Sequence, residues 1–138
     1  MSLAPVIARL RKLNQPVPQP GRLPTEAEVA AAERELGVSF HPDFVQYLLQ
    51  ASDVVYGHKE PVTLSNPKAH THLPVVSHSA WAVGVPRDLV PICEDNGDFY
   101  CVSSSGEVVF WSHNGTSNER WPDIEQWIDD VWLGNGAL

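Results

Sequence analysis

LVPICEDNGDFYCVSSSGEVVFW, residues 89–111, reads as three consecutive antiparallel strands: Leu89–Cys93, Asp98–Ser103 and Glu107–Trp111. Asn96-Gly97 closes the first hairpin and Ser105-Gly106 the second. Both glycines supply the positive φ that tight hairpin turns demand. The strands are rich in Val, Ile, Phe, Tyr and Trp, side chains that fit a pleated, half-buried surface. Such a meander is a floor on which flanking helices bury their apolar faces. It carries no chemistry of its own.

Upstream, Leu3, Ile7 and Leu10 fall at helical spacing with Val6 and Leu13 alongside, so residues 3–13 read as a short amphipathic helix docked on the rest. Four prolines and a glycine make 14–24 an extended connector. Thr25 and Glu28 then form a capping box, Val29, Ala32 and Leu36 mark one face, and Gly37 is the stop. Pro42 sits at the first position of the next helix, where no N–H is missed, and Phe44, Leu48, Val45 and Leu49 make a double stripe through Ala51. Val54–Gly57 and Glu60–Leu64 read as two short strands. The periodicity of Leu73–Val83 fits helix or strand, and a short helix over the sheet is expected.

Downstream of the meander, 112–120 reads as a polar loop, with Trp121 either stapling the following helix or facing solvent. Pro122–Leu133 reads as a long closing helix with Ile124, Trp127, Ile128 and Val131 in one stripe and Gly134 as its stop. The expected fold is α+β: a largely antiparallel sheet of five to six strands packed with helices. The expected division is an N-terminal helix and connector over 1–22 and an α+β unit over 23–138, one compact domain overall. A chain of 138 residues suits this, and needs no disulfide or metal staple.

Net charge is −8, from 17 acidic and 9 basic side chains. A nucleic-acid surface needs Lys/Arg clusters to neutralise phosphates, so the balance argues against one and permits a basic protein partner. Arg9, Arg11, Lys12 and Arg22 make residues 1–22 positive, leaving 17 acids against five bases in the remainder. No window approaches the ~18 apolar residues of a membrane span. No apolar signal core follows the N-terminus, so a cytoplasmic location is expected, with Cys93 and Cys101 as reduced thiols. These two lie across the first hairpin, where they can face each other, but match neither a CxxC redox motif nor zinc knuckles.

Six histidines invite a metal reading, with His70 and His72 alternating and His78 close by. The spacing of zinc ligands is missing, and surface loop positions account for all three. Glu94, Asp95 and Asp98 crowd one turn. They lack EF-hand spacing, but a fixed negative rim beside an aromatic strand suits a basic partner. Ser103-Ser104-Ser105 is no nucleophile elbow, since Gly-x-Ser-x-Gly is absent. Trp111 reads as core, His113 as the open end of its strand, and Trp81 as the aromatic most in line for exposure at an interface. The expected partner-binding residues are thus Glu94, Asp95, Asp98, Trp81 and His113. Gly37, Pro42, Gly97, Gly106, Trp111 and Trp127 are structural, and no catalytic residue, metal or cofactor is expected.

LGVSFHPDFVQYLL (36–49), LVPICEDNGDFYCVSSSGEVVFWSHN (89–114) and PDIEQWIDDVWL (122–133) follow a capped acidic helix in that order. This arrangement resembles the SUKH superfamily, named in part after a yeast regulator of cell-wall synthesis. Leu36-Gly37, Pro42 and Phe44 match its entry to the second helix, and Leu89-Val90-Pro91-Ile92 its strand opening. Gly97-Asp98 matches its Gly-Asp pair, and Gly106, Val108 and Trp111 the next strand. The resemblance spans roughly residues 23–133 and implies a non-enzymatic immunity role. Its bacterial members bind and neutralise a cognate toxin, often a nuclease or deaminase, by occluding its site. A nuclease must be basic to grip phosphate, so an acidic inhibitor gains steered association. The partner implied is a basic toxin protein, with no direct nucleic acid or membrane contact, met by a monomer or weak dimer. A regulatory adaptor is the alternative within binding proteins. A metal-dependent hydrolase built on His70, His72 and the acidic turn is the competing class.

Overall fold

The meander forms. Strands β1 (Val90–Asp95), β2 (Asp98–Val102) and β3 (Val108–Trp111) pair antiparallel in the order of the chain. Asp95 pairs with Asp98, leaving Asn96 (φ 54°) and Gly97 (φ 88°) as a two-residue turn. Positive φ at both central positions is the geometry whose twist matches the flanking strands. The second turn is looser. The Gly106 N–H donates to the Ser103 carbonyl at 3.0 Å, and Gly106 (φ 89°) carries the left-handed step that returns the chain to β3. The computed structural model describes residues 3–18, 21–115 and 118–134.

The sheet has four strands among the described residues, where five to six were expected. A short β4 (Arg120–Trp121) pairs Val109 with Arg120 and Val108 with Trp121, in a stretch that reads as loop. The strands expected over Val54–Gly57 and Glu60–Leu64 do not form. Pro61 and Thr63 make single bridges, to Cys93 and His72. The cause is β1. Pro91 pairs with Cys101 and Cys93 with Tyr100, so Ile92 is the extra residue of a bulge. Its carbonyl accepts the Val62 N–H at 2.8 Å, while Pro61 has no N–H to continue a ladder. The same bulge sets Cys93 and Cys101 out of register, so they do not face each other. Both are buried free thiols, pushed up to about 12 by that burial.

Alternation puts Tyr100, Phe110 and Trp121 on one face of the sheet and Phe99, Val109 and Trp111 on the other. The closing segment roofs part of the first face, where Tyr100, Phe110 and Trp121 stay half-buried. The Tyr100 ring lies 5.4 Å from Trp127, Trp127 lies 6.4 Å from Trp132, and Trp132 lies 6.3 Å from Tyr47. Tyr47 belongs to α3 (Pro42–Ala51), against which α1 (Ala4–Leu13) packs. On the second face α4 (Leu73–Ala82) packs against β1, and α2 (Glu26–Leu36) bridges α3 and α4.

Local chemistry explains the helices. Thr25 and Glu28 make both bonds of the capping box, and Gly37 ends α2 at φ 70°. Pro42 opens α3, where the His41 Nδ1 accepts the Asp43 N–H at 3.1 Å. The His41 ring also packs into the space at Gly106, where a Cβ would lie 2.7 Å from its Cε1 and Nε2. In α1, Val6, Ile7 and Leu10 are buried, as is Leu3 just before it, but Leu13 is 42% exposed.

The long closing helix is not seen. Asp123 caps a single α-helical turn, α5 (Ile124–Trp127), and Ile128–Trp132 continues as a π-helix closed by the Leu133 N–H on the Ile128 carbonyl at 2.8 Å. The wider turn moves the buried position from Val131, which is half-buried, to Trp132. Trp132 thereby reaches Tyr47 and donates its indole N–H to the Tyr56 carbonyl at 3.1 Å. No helix among the described residues is long and apolar enough to cross a membrane.

Candidate partner-binding surface

The acidic turn is a rigid rim. Glu94 Oε2 accepts the Gly97 N–H at 2.6 Å, bracing the turn from within. Asp95 pairs with Lys59 at 3.2 Å. Asp98 Oδ1 accepts both the His113 backbone N–H at 3.0 Å and the ring Nδ1 at 2.6 Å. The His113 backbone bond, followed by its ring, holds the Asp98 carboxyl below its ordinary range, so the group is ionised at neutral pH. Fifteen residues separate this pair in sequence, so hairpin and open strand end are tied together by a contact that spacing cannot show. Of the three carboxylates, Asp95 is paired with a lysine and Asp98 with a histidine, whereas Glu94 bonds to backbone.

Trp81 stands apart. Its indole N–H donates to the Leu89 carbonyl at 2.9 Å, at the start of β1. That anchor lies about 20 Å along the strand from Asp95 at 3.3 Å per residue. The Arg87 guanidinium lies 4.4 Å over its ring and His78 packs edge-on at 5.9 Å. The five candidates thus form two sub-sites, Glu94, Asp95, Asp98 and His113 on one hand and Trp81 with Arg87 on the other. Trp127 is fully buried, whereas Trp111 is half-buried beside Phe99 at 6.2 Å.

The positive N-terminal segment is largely neutralised by the chain itself. Arg9 pairs with Asp129 at 3.0 Å, Arg11 grips both Asp53 oxygens at 2.6 and 3.1 Å, and Arg22 both Glu28 oxygens at 2.7 Å. The histidines of the hydrolase reading are scattered. His70 pairs with Glu60 at 3.2 Å and shares a small hollow with Glu94, but His72 sits at the α4 N-terminus and His78 against Trp81. Among the described residues no three His, Cys, Asp or Glu side chains converge as metal ligands.

One surface escaped the sequence reading. Beside β3 the second face of the sheet carries an open depression of about 620 Å³ over Val109 and Trp111, walled by Gly84, Pro86 and Leu89. Each of these is unremarkable in sequence, and the tertiary fold brings them together as a surface.

The family model described as SMI1-KNR4 cell-wall, SUKH_5, matches residues 3–133. The match includes α1, which lies outside the 23–133 span of the resemblance read from motifs. No curated protein matches the chain. A crystal structure of a protein from Pseudomonas syringae pv. tomato is similar with a TM-score of 0.92 at 45% identity, covering 96% of this chain and 99% of that one. A capped αα-hairpin, a bulged meander and a family match over almost the whole chain lead to one assignment: the chain belongs to the SMI1-KNR4 cell-wall family of the SUKH superfamily.

Proposed function

We propose that this protein is a cytoplasmic, non-enzymatic immunity protein that binds a basic toxin domain and neutralises it by occluding its active site. The observation that carries the reading is the rim at Glu94, Asp95 and Asp98. Its charges are fixed by a two-residue turn and by His113 rather than left on mobile side chains. Binding to such a rim costs little ordering entropy, and an overall charge of −8 speeds encounter with a basic partner. The residues do no chemistry on the partner. Trp81 under Arg87 supplies a second, aromatic contact of the kind that dominates interface energies.

The test is affinity purification of the tagged protein from its own cells at moderate salt, with mass spectrometry of what accompanies it. A stoichiometric basic polypeptide with a toxin-like terminal domain is expected. The family description names the cell wall, which favours a regulatory adaptor as the second reading. A housekeeping or envelope enzyme as the stoichiometric partner would select it.

A further inference from the structure

A further concave surface lies at the other end of the first hairpin from the rim, where Val90 pairs with Val102. Between this strand end and the turn that joins α2 to α3 is a cavity of about 470 Å³. Its floor is apolar. Phe40, Phe44, Val90 and Val102 line it, all four are buried, and the two phenylalanine rings pack edge-on at 5.2 Å. A mostly apolar hollow of this size with a few polar groups at its edge is the usual form of a small-molecule site.

The edge carries the specificity. Among the described residues lining the cavity, only His41, Arg87 and Asp88 are ionisable. His41 is wall, since its Nδ1 accepts the Asp43 N–H and its ring fills the space at Gly106. Arg87 and Asp88 are the central residues of a turn closed by the Leu89 N–H on the Pro86 carbonyl at 3.0 Å, and both are exposed. Neither forms an ion pair with the other or with any other described residue. The Arg87 guanidinium instead lies over the Trp81 ring, which is itself tied to the Leu89 carbonyl. Stacking fixes the plane of a guanidinium and leaves its N–H edge free for a carboxylate. An anion alone would meet Asp88 beside it, and a cation alone would meet Arg87. A ligand that carries both charges satisfies both.

We propose that this cavity binds a free α-amino acid with a large apolar side chain, of the class of leucine or phenylalanine. The ligand carboxylate meets Arg87, its ammonium meets Asp88, and its side chain lies on the floor of Phe40, Phe44, Val90 and Val102. The site is independent of the immunity reading, because no residue of the acidic rim lines it. An exposed mouth and a ligand of few atoms make the binding weak, with a dissociation constant on the order of millimolar.

Titration of the isotope-labelled full chain with L-phenylalanine, followed by amide NMR shifts, tests this without any protein partner. Saturable shifts are expected at residues 87–90 and 102–104, and not at the rim. L-alanine keeps both charges but lacks the apolar side chain, and should bind at least about tenfold more weakly. N-acetyl-phenylalanine and phenylalanine amide each lack one charge and should lose about as much. Arg87→Gln and Asp88→Asn, both at exposed positions, should each weaken phenylalanine binding by a similar factor, with the ligand-free spectrum as the check on folding. Arg87→Gln also removes the stacking on Trp81, so Asp88→Asn decides if that variant fails to fold. Shifts that do not saturate, or that centre elsewhere, would overturn the proposal. So would equal binding of the two blocked derivatives, which would leave the cavity to an apolar side chain of a protein partner.

Discussion

On one face of the sheet Tyr100 packs against Phe110, Trp121 and the fully buried Trp127, which in turn meets Trp132 and Tyr47, whereas on the other a half-buried Trp111 lies beside Phe99 and against Gly84. The same residue type does different work on the two faces. Under a helix, a tryptophan excludes water and holds the fold. Where it is only half-buried, as Trp111 is, it holds the fold less firmly. The difference arises from the closing segment, whose π turn brings Trp132 onto the core at the expense of Val131.

The sharpest way to break this comparison is to truncate both tryptophans. Trp127→Ala should cost about 3–5 kcal/mol, the range of a large-to-small aromatic change in a core. Trp111→Ala should cost about 1–2 kcal/mol, since only part of its area leaves water on folding. Urea unfolding of the two variants checks it, and equal losses would mean that the second face is as closed as the first.

Gly106→Ala comes next, at about 1–3 kcal/mol, because φ is 89° and the new Cβ meets the His41 ring at 2.7 Å. A double-mutant cycle with His41→Ala separates the two causes. Only the steric part should be recovered, and full recovery would remove the backbone argument.

A smaller effect appears in acid. The Arg22 guanidinium, and then the Thr25 backbone N–H, lower the Glu28 carboxyl from 4.5 to about 2. Its folded value lies below its unfolded one, so the stabilisation is present above about 4.5 and is lost as pH falls toward about 2. Glu28 is solvent-screened, so the loss should stay below about 1 kcal/mol and shrink in salt. Glu28→Gln should flatten that limb of the stability–pH curve. Asp98 acts in the same direction through His113.

The smallest change in stability belongs to the rim. Glu94→Lys removes an exposed bond to the Gly97 N–H and should alter unfolding by no more than about 1 kcal/mol, while binding of a basic partner weakens. A large loss of stability would instead make the rim a structural element.

What could be read from the residues was what is decided locally. Thr25 with Glu28, Gly37, Pro42 and Asn96-Gly97 act within one turn of chain, and each forms as the sequence indicates. The features that were not legible depend on distant partners. β4 exists because Val108 and Val109 accept Trp121 and Arg120 as neighbours. The strand-like 60–64 yields to single bridges because the bulge at Ile92 presents one carbonyl to it. The π turn follows from what Trp132 finds in Tyr47 and Tyr56. The candidate site divides in the same way. The acidic turn was visible as composition, but the His113–Asp98 bond, the distance of Trp81 from the rim and the depression beside β3 all belong to the tertiary fold.

The central claim is that the fixed acidic rim disarms a basic toxin. Growth of cells expressing the co-purifying partner tests it most directly, with that partner alone, with the wild-type chain, or with Glu94→Lys combined with Asp98→Lys. The account predicts arrest with the partner alone, growth with the wild-type chain, and arrest again with a charge-reversed chain that is still folded. A partner that is harmless by itself, or one restrained equally well by the charge-reversed chain, would contradict it.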